Sequence, residues 1–356
     1  MTLPLRALAC TLLTSLLTGC AQLGYYAQAV HGQVSLLASA QPIPTVLNDP
    51  QTSDKLRARL IKVQEIRAFA VSELSLPDNG SYKSYADLKR PYVLWNVIAA
   101  PELSLVPKQW CFPVAGCVSY RGYYSQADAD AFGEGLRKDG YDVLIGGVPA
   151  YSTLGWFSDP VLSSFIDYPD AELARMIFHE LAHQTVYAKG DSQFNESFAT
   201  AVEEAGVLRW LEQHGDARQR SVYFGREKRE TDFLALLLRY RKKLEINYAS
   251  AAPDAEKRAN KATIFRELKQ EYQTVKASWD GYTGYDAWFD RPLSNANLAL
   301  LATYHDFVPA FRVLLLQKGG FPEFYAAVGE LATLDIDERH RRLATLATAA
   351  VNLPKD

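Results

Sequence analysis

An excess of charge of either sign is the first thing this sequence lacks. Its 356 residues carry 38 Lys and Arg against 41 Asp and Glu, a formal net charge of -3. With no basic surplus and no long block of like charge, nothing here suits a phosphate backbone, which argues against nucleic acid as a partner. Methionine is scarce at two residues, and cysteine is limited to four. There is no internal repeat and no low-complexity tract. Hydrophobic residues make up 48% and charged residues 22%. Those are the proportions of a folded chain with a sizeable core, not of a disordered or collagen-like one. Tyrosine, by contrast, is plentiful at 20 residues.

The N-terminal apolar run, Ala7 to Leu17, follows Arg6. It is too short to cross a bilayer as a helix, which takes about 20 residues. A positive start, a short apolar stretch and small residues after it describe a secretory signal. The quartet Leu17-Thr18-Gly19-Cys20 resembles a bacterial lipobox. That resemblance implies a signal peptide over residues 1–19 and a lipid anchor on Cys20, the new N-terminus. Ala21 and Gln22 follow, with no Asp at the second mature position, which by the same resemblance implies the outer membrane, facing the periplasm. Cys10 leaves with the signal. Cys111 and Cys117 remain, in the run CFPVAGC, and in an oxidising compartment they are expected to form a disulfide.

Apolar spacing predicts helices over 24–40 and 54–76, joined by a linker, 41–53. From 91 to 156 the runs YVLWNVIAA, CVSYRGYY, YDVLIGG and PAYSTLGW read as strands of a small mixed sheet, with one helix over 126–138. Helices are expected at 169–188, 193–213, 216–246, 254–277, 296–316 and 335–350. The expected class is α+β, predominantly helical. No linker divides residues 54–350, so one domain over 54–356 is expected, with a sheet-containing part and a helical lobe, behind an anchor segment, 20–53.

The chemistry is concentrated in Phe178-His179-Glu180-Leu181-Ala182-His183. Histidines four apart on a helix share a face, one turn from each other. Two imidazoles so placed can hold one zinc ion, and Glu180, beside the metal rather than on it, can take a proton from the attacking water. A catalytic zinc needs a third protein ligand and an open position. After His183 the helix can stop at Gly190, with Asp191 or Ser192 capping the next. Asn195-Glu196-Ser197-Phe198-Ala199 follows. This N-E-x-F-A run resembles the glutamate-ligand segment of gluzincin metallopeptidases, particularly M1-type aminopeptidases, and the resemblance makes Glu196 the third ligand. The interval from His183 is shorter than in the well-known gluzincins; their longer spacing would select Glu203. Glu196 is preferred, with Glu203 as the residue that orients a ligating histidine through its other ring nitrogen. An HxxGxxH continuation is absent, since Val186 and Lys189 stand at the last Gly and His positions, which argues against a metzincin.

With a later NANLALLATYHD segment, 295–306, these motifs resemble a bacterial family described as predicted aminopeptidases, exported or lipid-anchored. The resemblance implies a zincin-like core with the sheet packed against the HExxH helix, and hydrolysis of peptides or unfolded exported proteins. Tyr304 and His305 are candidate catalytic donors to the oxyanion; Tyr282 and Tyr285 are weaker ones. The run 147–156 is a candidate edge strand for substrate pairing, and Asn295 and Asn297 are candidate helix caps. An aminopeptidase also needs an acid for the substrate α-ammonium. The G-x-M-E-N run of M1 enzymes is missing, and Glu203, Glu204 and Asp159 remain open for that role. The resemblance makes a zinc aminopeptidase acting on periplasmic peptides the expected function; a zinc endopeptidase of the cell envelope, or a non-enzymatic envelope lipoprotein whose metal site is structural or vestigial, are the alternatives. Oligomeric state is not legible.

Overall fold

The computed structural model describes residues 23–112, 116–301 and 307–350. Cys20, Tyr304 and His305 lie outside them. Helices dominate and the sheets are small, so the class is α+β, predominantly helical. Among the described residues no helix is long and apolar enough to cross a membrane.

The described residues open with a helix over 23–39, α1. The expected linker is structured: a short strand, β1 (Gln41–Pro42), and a helix, α2 (Ile43–Asn48), in which Pro44 takes a first-turn position that needs no N–H. Leu36, Ile43 and Val46 are buried in the main core, so this segment folds with the rest rather than serving only as a tether. α3 (Asp54–Ser72) is capped by Ser53, whose hydroxyl accepts from Leu56 N.

The strand region holds two sheets and a hairpin. β2 (Ser84–Ala86) pairs antiparallel with β1 and parallel with β8 (Val161–Leu162). β3 (Leu94–Pro101) is the centre of the larger sheet, antiparallel to both β6 (Arg121–Tyr123) and β7 (Tyr141–Val148). This sheet is therefore antiparallel, not mixed. β4 (Trp110–Phe112) and β5 (Gly116–Val118) form a hairpin joined by the Cys111–Cys117 disulfide. α4 (Gln126–Lys138) covers one face of the larger sheet, where Gly133 lets it approach Ile145 and Val143.

α5 (Asp170–Ala182) carries the HExxH motif and packs on α3 and α6 (Ser192–His214). The larger sheet does not pack flat on α5; it faces α5 across a cavity. A long antiparallel pair, α7 (Ala217–Ala249) and α8 (Asp254–Lys276), builds a second apolar cluster with α9 (Asp286–Asp290) and α10 (Asn295–Ala299). The helix expected over 296–316 is broken: α10 ends at Ala299, and α11 (Val308–Lys318) begins at a new turn with Pro309 in it. α12 (Phe321–Ala332), with Pro322 in its first turn, is a helix the apolar spacing did not indicate, and α13 (Ile336–Ala350) is the last helix of the described residues.

Candidate metal centre and its cavity

α5 delivers the two histidines. Leu173, Ala174, Ile177, Phe178 and Leu181 bury its inner face. His179 and His183 follow one turn apart near its end, with ring centroids 4.8 Å and Nε2 atoms 3.1 Å from each other.

The chain must then reverse. Gly190 adopts φ +82°, which favours glycine. Asp191 caps α6 by accepting from Phe194 N at 3.0 Å, and its other oxygen is held by Arg339 at 2.6 Å. The Asn195 side chain accepts from Ala188 N and donates to Ala188 O, both at 2.8 Å. This pins the turn to the start of α6 and sets where the next residue emerges. Glu196 Oε2 lies 3.4 Å from His179 Nε2 and 3.8 Å from His183 Nε2.

α6 runs back along α5, so Glu203, two turns on, reaches the other side of the first histidine. Its Oε2 is 2.8 Å from His179 Nδ1, and its Oε1 accepts from Arg175 at 3.0 Å. In its neutral form His179 would donate Nδ1–H to Glu203 and turn its Nε2 lone pair toward His183 and Glu196. Of the two carboxylates left open by spacing, Glu196 faces both Nε2 atoms and Glu203 does not.

The three donors lie within 4.8 Å of one another. Tetrahedral ligands held at zinc-like bond lengths would sit about 3.3 Å apart. The observed separations of 3.1, 3.4 and 3.8 Å bracket that value. The donor set, two neutral imidazoles and a carboxylate, suits a borderline divalent ion. Electrostatics agree. Burial alone would lower the His179 pKa, but Glu203 first, then Glu196 and Glu180, raise it well above its ordinary value. The field that favours a proton there favours a cation among the donors. His183, governed by burial, is lowered to about 4. Burial opposes ionisation of Glu196, yet His183 and His179 hold its carboxyl below the usual range.

The donors open on a cavity of about 470 Å³. Glu180 lines it, is 7% exposed, and has its pKa pushed up to about 7, by burial first and then by Glu196 and Asp159 against the opposing pull of His179. Its walls come from distant segments: Tyr25 of α1, Leu94 and Asn96 of β3, Tyr120 ahead of β6, and Val148 of β7. Tyr124, Tyr151 and Tyr187 also line it, so five of the many tyrosines meet here. No local pattern signalled them.

Other candidates fall elsewhere. The strand expected over 147–156 ends at Val148; beyond it Leu154 takes φ +57° and Gly155 φ +80°, breaking extension. β7 pairs with β3 alone among the described strands and so remains a sheet edge. Asp159 accepts from Thr153 N at 3.0 Å and Gln184 Nε2 at 3.2 Å, tying the loop to the end of α5. Glu204 pairs with Arg312 at 2.6 Å. Neither these two acids nor Glu203 line the cavity; Glu203 and Glu204 border a separate one with Glu227 and Glu230. Tyr285 stacks on Phe233 at 4.0 Å in the second apolar cluster, and Tyr282, an exposed residue, meets the Tyr285 ring edge-on at 5.8 Å. Ser294, not Asn295, caps α10, with Asn297 completing the capping box, while Asn295 donates to the carbonyls of Pro101, Glu102 and Ser104.

A family model described as "Putative aminopeptidase" matches residues 24–343. No curated protein and no solved structure gives a match.

Proposed function

The chain belongs to the family described as putative aminopeptidases, and on that premise we propose that it is a zinc-dependent peptidase of the bacterial cell envelope. The observation that carries this is the meeting of His179, His183 and Glu196 with Glu180 at the wall of one cavity. His179, His183 and Glu196 would hold the ion, in a zincin-like, gluzincin-type arrangement. Zinc bound there supplies Lewis acidity toward a carbonyl and a nearby water. Glu180 takes a proton from the attacking water and delivers it to the leaving amine. Its buried carboxyl, with a pKa near neutrality, suits both halves of that transfer. Glu203, itself held by Arg175, keeps His179 in the tautomer with Nε2 free. The edge of β7 is available to pair with an extended peptide.

Substrates in this reading are peptides or unfolded exported proteins. Lipidation of Cys20 anchors the enzyme at the outer membrane, facing the periplasm. Tyr304 and His305 stay candidates for oxyanion donors on sequence grounds alone. The family description favours removal of N-terminal residues, with cleavage inside chains as the alternative. Among the described residues, the acids lining the cavity are Glu180 and Glu196. The test is Glu180→Gln: it should retain zinc and lose about 100-fold or more in peptide hydrolysis. Unchanged hydrolysis would remove Glu180 from the mechanism. Running free and N-blocked peptides in parallel separates exopeptidase from endopeptidase action.

A further inference from the structure

α1 has two faces with different roles. Its inner face is firmly seated: the Tyr25 ring lies 3.9 Å from the Arg121 guanidinium, Gln28 accepts from Tyr124 N at 3.1 Å, and Gln33 accepts from Tyr124 Oη at 2.6 Å. Gly32 makes this approach possible, since a Cβ there would come within 2.1 Å of the Tyr124 ring. The outer face is exposed and mainly apolar, with His31 and Ser35 on its flank. Leu23 is 72% exposed, Val30 63% and Val34 59%, with Tyr26 and Ala27 beside them. Residues 23–39 contain no Lys, Arg, Asp or Glu, in a chain where such residues make up 22%. The water-facing side of α8 shows the contrast, being densely charged. Single exposed apolar residues need no explanation, but an apolar stripe along a helix free of Lys, Arg, Asp and Glu does.

We propose that the outer face of α1 lies in the interfacial layer of a phospholipid bilayer. The inference rests on the lipid anchoring of Cys20 proposed above. Acyl chains on Cys20 would hold Leu23, three residues on, within about 10 Å of the bilayer surface. The helix, about 25 Å long, then settles parallel to the membrane as an interfacial helix does, with Leu23, Val30 and Val34 in the acyl boundary and Tyr26 at headgroup level. The inner-face residues Tyr25 and Ala29 wall the catalytic cavity. The cavity therefore sits about one helix diameter, some 10 Å, from the lipid, where it meets peptide segments lying on or emerging from the membrane.

The test uses the full chain, matured in a bacterial envelope and reconstituted in phosphatidylethanolamine–phosphatidylglycerol vesicles. Val30→Cys, Val34→Cys and, for comparison, Ile246→Cys on α7 are labelled with an environment-sensitive fluorophore. Lipid-borne nitroxide and aqueous iodide serve as quenchers, and mass spectrometry of the N-terminal peptide reports acylation of Cys20. The inference expects labels at 30 and 34 to be quenched several-fold more by lipid nitroxide than the label at 246, and correspondingly less by iodide. Acylated Cys20 with all three labels equally open to iodide would overturn the inference and leave the anchoring intact. Protection from iodide without lipid quenching would mean a second protein copy covers the face, and would overturn it as well. An unmodified Cys20 would remove the anchoring on which the inference stands.

Discussion

Asn195 grips both polar groups of Ala188, its side-chain amide accepting from the N–H and donating to the carbonyl at 2.8 Å each. One buried side chain thus stands in for a backbone partner across the α5–α6 turn. Its neighbour Glu196 is aimed at the histidines as a result. Asn195→Ala leaves two buried main-chain groups unpaired, a cost of about 2–4 kcal/mol. Thermal unfolding should register that loss, and metal affinity should fall with it. Undiminished stability and metal affinity would show that the turn is held by Gly190 and Asp191 alone.

Glu203 gives a second, separable prediction. It touches His179 Nδ1 and not the Nε2 side of the site. Glu203→Gln should weaken metal binding by about 10–100-fold without abolishing it, the usual consequence of losing a ligand's supporting carboxylate. It also removes the charge facing Arg175. Complete loss of metal, measured by competition with a chromogenic chelator, would make Glu203 a ligand.

The β4–β5 hairpin links the disulfide to the cavity. Phe112 and Val118 line the cavity, and Gly116 packs so closely on the α5–α6 turn that a Cβ would come within 2.8 Å of Gly190 N. Replacing Cys111 and Cys117 by serine frees a short loop, worth about 2 kcal/mol by loop-closure entropy. The expected outcome is a raised KM for peptide with metal content unchanged. An unaltered KM would mean that the hairpin does not contact substrate.

The candidate metal centre was legible because its parts are local. His179, Glu180 and His183 follow from helical spacing. Gly190 and Asp191 are stop and cap signals, and Asn195-Glu196 follows within one turn. The preference for Glu196 over Glu203 comes from the N-E-x-F-A resemblance and not from spacing, because which acid faces the Nε2 atoms depends on how α6 lies against α5. Nor was the cavity: Tyr25, Leu94, Tyr120 and Val148 come from four segments whose meeting is a property of the tertiary fold. Helix bounds failed where proline chemistry decided them. Pro44 and Pro322 start helices inside what read as linker or went unread, and Pro309 marks a fresh start inside what read as one helix.

Zinc content per chain, measured by elemental analysis on the wild type, Glu196→Ala and Glu203→Ala proteins purified side by side, tests the central claim most directly. The account predicts one zinc per chain in the wild type, none retained by Glu196→Ala, and zinc still present in Glu203→Ala when the metal is supplied in excess. A wild-type protein that binds no zinc under those conditions, or a Glu196→Ala protein that keeps its full complement, would contradict it.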